Sequence, residues 1–153
     1  FDSISMENIS HQFQVNCFAP MQLTLRLGNL LKQNKGVVVN VSSTLGIKPV
    51  PNTSIYSASK AAMNNWTQGL ALEWAKEGVR VVGICPGIID TPIHQFHGEP
   101  EDSEARKQAH LAQPLGRLGK PEDIASVVSF IVSDKAAWIT GSIWSVDGGI
   151  SLL

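Results

Sequence analysis

The stretch YSASKAAMNNW, residues 56–66, places a phenol and an ammonium four residues apart, at Tyr56 and Lys60. Residues at i and i+4 share one face of a helix, so the two side chains can converge on one point. An ammonium close to a phenol favours the phenolate, which makes such a pair a usable proton donor and acceptor near neutral pH. Because the Y-x-x-x-K pattern is short, an ordinary surface pair on an amphipathic helix is the alternative.

Further candidate groups follow two predicted strands. GVVVNVSS (36–43) and VRVVGICPG (79–87) are β-branched and nearly continuous in apolar character, which is typical of strands buried on both faces of a parallel sheet. Ligands of open α/β sheets bind beyond the carboxyl ends of the strands. We therefore expect Ser43 to lie near Tyr56, where two hydroxyls can hold a carbonyl or alkoxide oxygen. A turn-capping role for Ser43 and a plain turn at Pro86–Gly87 are the alternatives.

Three helices must position these groups. The pattern predicts the first over residues 7–33, ended by Gly36, and Pro20 should bend or interrupt it because proline lacks a backbone donor. The second is predicted over 54–76, and the third starts at Pro121 within KPEDIASVVSFIVSD. The predicted apolar faces are Phe13, Cys17, Met21 and Leu25 in the first helix, Ala62, Trp66, Leu70 and Trp74 in the second, and Ile124, Val127, Val128 and Ile131 in the third.

The alternation of helices with strands, the last strand predicted over 142–149, indicates an α/β protein. We predict a Rossmann-type doubly wound parallel sheet in a three-layer sandwich. Three strands are about half of the six in a full dinucleotide-binding sheet, so we expect the C-terminal half only.

The composition excludes several classes of protein. The 153 residues suffice for one domain, and a net charge of −1 without runs of like charge argues against a nucleic-acid interface. Cys17 and Cys85 lie in apolar stretches, so we expect buried thiols and no disulfide. The sequence has no apolar run of about 20 residues and no signal-peptide pattern, which favours a cytoplasmic protein without a membrane partner.

Four stretches, taken together and in this order, resemble the short-chain dehydrogenase/reductase family: NVSSTLGIKPVPNTSIYSASKAA, VRVVGICPGIIDTP, PLGRLGKPEDIA and ITGSIWSVDGG. The resemblance implies an NAD- or NADP-dependent oxidoreductase that reversibly reduces a carbonyl of a small molecule to a secondary alcohol by hydride transfer. It also implies a homodimer or homotetramer assembled through the two long helices. Trp66 and Trp74 are candidates for that interface, with packing against the sheet as the alternative.

The resemblance further implies a role for each matching residue. Tyr56 would be the general acid and base, Lys60 would assist it and bind the nicotinamide ribose, and Ser43 would orient the substrate oxygen. Asn16, in QVNCFAP, would hold a water that links Lys60 to solvent, although a role in a helix kink near Pro20 is the alternative. The cofactor-binding residues would be Tyr56, Lys60, Pro86, Gly87, Ile89 and Thr91.

The segment 92–118 would correspond to the family's variable substrate loop, with one short helix near 103–112. We expect exposed loop histidines rather than a metal site at His94, His97 and His110, although these side chains could touch substrate. His11 reads as an ordinary helix residue. Asp147–Gly148–Gly149 resembles a structural turn of the family.

One feature of the family has no counterpart in these residues. A dinucleotide site needs a glycine-rich turn that admits the pyrophosphate to backbone amides at a helix N-terminus, and the sequence contains neither G-x-x-x-G-x-G nor G-x-G-x-x-G. We therefore expect residues 1–153 to be the catalytic C-terminal portion of a single Rossmann-type domain, inactive alone. A truncated, non-catalytic fragment that oligomerises or regulates is the alternative.

Overall fold

A computed structural model describes residues 4–94, 97–100 and 102–153. The helices are α1 (Met6–Phe13), α2 (Ala19–Arg26), α3 (Gly28–Gln33), α4 (Ser54–Trp74), α5 (Glu104–Leu111) and α6 (Pro121–Val132), and the strands are β1 (Val37–Val41), β2 (Arg80–Pro86) and β3 (Ile143–Val146). Among the described helices, none combines the length and the apolar character needed to cross a bilayer.

The first predicted helix is divided into three. A π-helical turn, Gln14–Phe18, joins α1 to α2, and the Ala19 amide donates to the Gln14 carbonyl five residues back. The turn stands immediately before Pro20, the second residue of α2, as expected for a residue that cannot donate within a helix.

The predicted apolar face of this region is only partly right. Cys17 is buried, but Leu25 is 60% exposed, and Thr24 and Gly28 are buried in its place. A helix turns once in 3.6 residues, so positions repeated every four residues drift around it by about 40° per turn. Two such steps separate Leu25 from the buried Cys17, and Leu25 has left the buried face.

The three strands form one parallel sheet in the order β1-β2-β3. Val37 is the register partner of Arg80, and Gly83 is that of Ile143. This arrangement confirms the predicted parallel sheet. β3 is shorter than predicted, because residues 147–149 leave the strand and form a turn in which both glycines have positive φ.

Helices cover both faces of the sheet and make three layers. On one face, Leu70, Ala71 and Trp74 of α4 pack against Val79 and Val81. On the other face, Ile131 of α6 packs against Val82 and Ile84, together with the predicted apolar residues Ile124, Val127 and Val128. The three-layer α/β prediction is therefore confirmed.

The two tryptophans of α4 pack against the sheet, which was the alternative to a place in a subunit interface. Trp74 is 7% exposed within the core, and Trp66 is half-buried against the same cluster. Both cysteines are buried free thiols, as predicted. The predicted short helix near 103–112 is α5, capped by the Ser103 hydroxyl, which accepts from the Arg106 amide.

Candidate active site

The end of β1 is fastened to the first turns of α4 by main-chain contacts. The Ser42 hydroxyl donates to the Lys60 carbonyl at 3.2 Å, and the Lys60 Nζ donates to the Val41 carbonyl at 3.2 Å. Gly46 approaches so closely that a Cβ there would lie 2.8 Å from the Lys60 carbonyl carbon. These contacts leave the strand end little freedom to shift relative to the helix.

Tyr56 and Lys60 lie one helical turn apart on this fixed part of α4. The Lys60 Nζ is 5.7 Å from the centre of the Tyr56 ring. Burial lowers the pKa of Lys60, and the Cys85 thiol beneath it opposes that shift more weakly. A partly desolvated ammonium acts on its neighbours through a lower dielectric than water provides, so its field at the phenol is stronger than at an open surface.

The Ser43 hydroxyl makes one hydrogen bond within the protein and keeps a further position for a ligand. It accepts from the Leu45 amide at 3.1 Å and so caps a short 3-10 turn, Thr44–Gly46. The capping alternative for Ser43 therefore describes a real contact. A hydroxyl that accepts one bond still has its own proton to donate, so the cap leaves Ser43 able to bind an oxygen atom of a ligand.

The turn after β2 lies beside the end of β1. It is held in place by residues that follow β1 and β3. The Thr44 hydroxyl donates to the Pro86 carbonyl at 3.3 Å. At Gly87 a Cβ would lie 2.8 Å from the Asp147 Cα, so only glycine fits. The Thr91 hydroxyl donates to the Ile89 carbonyl at 3.3 Å, which leaves its oxygen lone pairs as acceptors.

A cavity of about 860 Å³ opens between these two strand ends. Among the predicted site residues, Ser43, Tyr56, Pro86, Gly87, Ile89 and Thr91 line it, whereas Lys60 and Asn16 do not. The described lining consists of Val41, Ser42, Ser43, Thr44, Leu45, Lys48, Val50, Tyr56, Pro86, Gly87, Ile88, Ile89, Thr91, Ile93, His94, Ile150, Ser151 and Leu153.

Asn16 lies behind α4, within the π-helical turn. Its Nδ2 donates to the Ser59 hydroxyl at 3.1 Å, and Ser59 in turn donates to the Tyr56 carbonyl at 2.7 Å. The side chain of Asn16 thus connects to the backbone of the Tyr56 turn and not directly to Lys60. Its position in the interrupted part of the helix agrees with the kink alternative.

The loop histidines differ from one another. His97 is exposed, as expected, and pairs with Asp90 at 2.9 Å. His94 at the cavity and His110 on α5 are half-buried, contrary to the expectation of exposed side chains. Burial lowers the pKa of His94, opposed by the nearby Asp90 carboxylate. Among the described residues no group of three or more His, Cys, Asp or Glu side chains is arranged to hold a metal ion.

Sequence reasoning missed the apolar part of the lining and the support behind it. Val50, Ile88, Ile150 and Leu153 carry no motif, and only their common distance from the strand ends could have indicated them. Arg106 of α5 is buried and donates to Asp90 at 2.7 Å. Residues 95, 96 and 101 of the predicted substrate loop lie outside the described residues.

The sequence is similar to known proteins over most of its length. A family model described as enoyl-(acyl carrier protein) reductase matches residues 1–151. The chain is 46% identical over 124 residues to 4-formylbenzenesulfonate dehydrogenase of Comamonas testosteroni, a match that covers 80% of this chain and 49% of that protein. It is 42% identical over 123 residues to cis-4-hydroxycyclohexanecarboxylate dehydrogenase of Sinomonas cyclohexanicum, covering 80% and 48%.

Among solved structures, a 3-ketoacyl-(acyl-carrier-protein) reductase from Brucella melitensis, complexed with NADH, superposes with a TM-score of 0.87 at 31% identity, covering 98% of this chain and 60% of that one. The chain thus spans about half the length of the curated relatives that it matches. The match of the family model over nearly the whole chain decides the classification: the chain belongs to this enoyl-(acyl carrier protein) reductase family of the short-chain dehydrogenases/reductases.

Proposed function

We propose that the chain carries the catalytic centre of an NAD- or NADP-dependent oxidoreductase that reversibly reduces a carbonyl to a secondary alcohol. The observation that carries the proposal is the common lining of one cavity by Ser43, Tyr56 and the turn from Pro86 to Thr91, with Lys60 anchored one helical turn from Tyr56. The NADH named in the Brucella reductase structure supports the choice of cofactor.

The relatives favour carbonyl chemistry over the double-bond reduction that the family description names. They are named for an aldehyde, a secondary alcohol and a 3-ketoacyl group. Both curated relatives are also named for a substrate with an acid group, a sulfonate in one and a carboxylate in the other.

The residues of the chain fit the nicotinamide end of such a cofactor. Thr91 keeps acceptor lone pairs for an amide, and Lys60 provides an ammonium for a ribose hydroxyl. Pro86, Gly87 and Ile89 would form the surface against the ring. When bound, the cofactor supplies the two-electron acceptor or donor, because it takes up or releases hydride.

The proton is handled by the side chains of the chain itself. In the oxidation direction, the substrate hydroxyl gives its proton to the Tyr56 oxygen while the C–H bond electrons leave as hydride, and a carbonyl results. Ser43 donates a hydrogen bond to the same oxygen and holds it beside Tyr56. The Lys60 ammonium would stabilise negative charge on the Tyr56 oxygen during this step, and Asn16, through a water near Lys60, would return the proton to solvent.

The test uses protein produced from the complete coding sequence. Its intact mass is measured, NADH and NADPH are titrated by fluorescence, and ketone-dependent loss of the reduced cofactor is followed. Tyr56→Phe removes the transferable proton and should lower kcat by about 10²–10⁴-fold with cofactor binding intact. Full activity of the Phe variant would refute the assigned role of Tyr56.

A second function is a non-catalytic module that oligomerises or regulates. It is favoured by the apolar side chains that α2 and α3 expose, including Leu23, Leu25 and Leu30. In either function we propose assembly into a homodimer or homotetramer through the two long helical regions. Light scattering that detects assembly, together with no dinucleotide binding by the complete protein, would favour the module; saturable binding would exclude it as the sole function.

A further inference from the structure

The cavity offers a substrate mostly apolar walls. Val50, Ile88, Ile93, Ile150 and Leu153 surround the space beyond the Ser43 and Tyr56 hydroxyls. Its volume of about 860 Å³ lies in the range that holds a small organic molecule. Such a lining favours a substrate whose body is a ring or a hydrocarbon rather than a sugar.

The described residues that line this space include a positively charged side chain and no negatively charged one. Lys48 is the ammonium among the described lining residues, and no Asp or Glu is among them. Burial lowers the pKa of His94, the other titratable nitrogen at the wall, and so favours its neutral form. Lys60 is not among the lining residues, and its Nζ donates to the Val41 carbonyl.

Lys48 is also well placed relative to the reacting end. Its backbone amide donates to the Thr44 carbonyl at 2.9 Å, within the turn that Ser43 caps. In the part of the chain that the structure describes, its Nζ has no carboxylate or carbonyl partner. The base of the side chain is therefore fixed near the catalytic hydroxyls while its charged end is available.

We infer that Lys48 binds an acid group of the substrate, and that the cavity takes an apolar carbonyl compound with a carboxylate or sulfonate away from the reacting carbon. This inference rests on the proposed function and names its substrate class. Lys48 is an exposed residue of the lining, so its ammonium attracts an oxyanion at the solvent-facing side of the cavity and favours one orientation of the substrate. The hydroxyl pair would hold the carbonyl, and Lys48 would set the distance from it to the acid.

The direct test is a binding measurement with two ketones of nearly equal shape. Calorimetry compares 4-acetylbenzoate with the neutral 4-acetylbenzamide on the complete protein, with NAD⁺ or NADP⁺ present so that no reduction occurs. Wild type should bind the acid about two- to fivefold more tightly, the contribution of one ion pair at an exposed lysine. Lys48→Met should remove this preference and Lys48→Arg should keep it.

Lys135→Met is the matched control, because it removes the same charge from an exposed position in the turn after α6. It should bind both ketones like wild type. Equal affinities in wild type, or an acid preference that survives Lys48→Met, would overturn the inference.

Turnover of the two ketones with NADH or NADPH separates this inference from the proposed function. If neither ketone is reduced but Lys48-dependent binding is present, the proposed function fails and the acid site stands. If both are reduced with equal kcat/KM, the function stands and the acid site fails.

Discussion

The two walls of the cavity are attached to the molecule in different ways. The reaction wall, residues 41–45 with Tyr56, is joined to α4 by bonds that involve main-chain carbonyls, from Ser42 to Lys60 and from Lys60 to Val41. The loop wall, residues 86–94, has a close contact at Gly87 and main-chain bonds of Ile88 and Asp90 with Gly119. It depends in addition on bonds between two side chains: the Asp90 carboxylate accepts from Arg106 at 2.7 Å and contacts His97 at 2.9 Å.

The difference separates the parts of the site that must not move from the parts that can vary. Main-chain bonds and close contacts at glycine tolerate almost no displacement, and the groups proposed for proton transfer sit on that wall. An ion pair between two side chains can be replaced without rebuilding the backbone. We expect changes in the reaction wall to affect the chemical step, and changes in the loop wall to affect substrate binding.

After Tyr56, the largest expected effect on the reaction wall is at Ser43. Ser43→Ala should lower kcat by about 10²–10³-fold, the usual result of removing one donor to a reacting oxygen. Ser43→Thr keeps both the hydroxyl and the cap on Leu45 and should retain activity. Because the Ala variant also loses the cap, thermal unfolding of all three proteins is needed. A folded Ala variant with wild-type kcat would leave Ser43 with the capping role alone.

The contact between the two parts of the reaction wall can be tested at Gly46. Gly46→Ala would place a Cβ 2.8 Å from the Lys60 carbonyl carbon, so it should destabilise the protein by about 1–3 kcal/mol, as overpacking does, and lower kcat. Denaturant unfolding and steady-state kinetics measure the two effects.

Gly69→Ala is the control within α4. A Cβ at Gly69 meets nothing within 4 Å, and Ala is the better helix former, so this variant should gain about 0.5–1 kcal/mol. Equal stability changes for the two glycine variants would contradict the close contact at Gly46.

The loop wall should respond through KM. Asp90→Asn weakens the bond to the buried Arg106 and so loosens the turn that carries Thr91 and His94. We expect KM to rise about tenfold, the equivalent of one charge-assisted hydrogen bond, with a smaller change in kcat. Asp123→Asn is the control: Asp123 pairs with Arg117 at the same 2.7 Å and does not line the cavity. A kcat loss without a KM change would contradict the division between the walls.

The sequence predicted the architecture well, because the buried strands and the α6 face carry strong patterns. Ile124, Val127, Val128 and Ile131 repeat at helical spacing, and all four pack as expected. The prediction that Leu25 is buried was wrong, because spacing by four residues only approximates the 3.6 residues per helical turn, and the error accumulates along the helix. The predicted end of β3 was wrong as well, because the pattern of glycines alone does not show where a strand ends and a turn begins.

For the candidate site, short motifs predicted residues and not contacts. Ser43, Tyr56 and Gly87 stand in local patterns that could be located directly, and they line one cavity. Lys48, Ile150 and Asp90 with Arg106 come together only through the fold, from segments that share no sequence pattern. Their position depends on how the turn after β1, the chain end and α5 pack around the sheet, which requires tertiary information.

The smallest expected effect is the acid dependence of the loop wall. The Arg106 guanidinium, followed by His97, lowers the pKa of the Asp90 carboxyl to about 2, whereas an unfolded aspartate titrates near about 3.9. A carboxyl whose pKa is lower in the folded state stabilises that state above the unfolded pKa, and the stabilisation is lost as the pH falls through the folded pKa. The unfolding midpoint of wild type should therefore exceed that of Asp90→Asn by a constant amount above about pH 4. The difference should shrink progressively as the pH is lowered to about 2. Asp123 has a similarly low pKa beside Arg117. It is present in both proteins, so its contribution to the pH dependence cancels in the comparison. If the difference stays constant down to pH 2, the charge of Asp90 does not stabilise the loop wall. The stabilisation would then come from the shape of the Asp90 side chain alone.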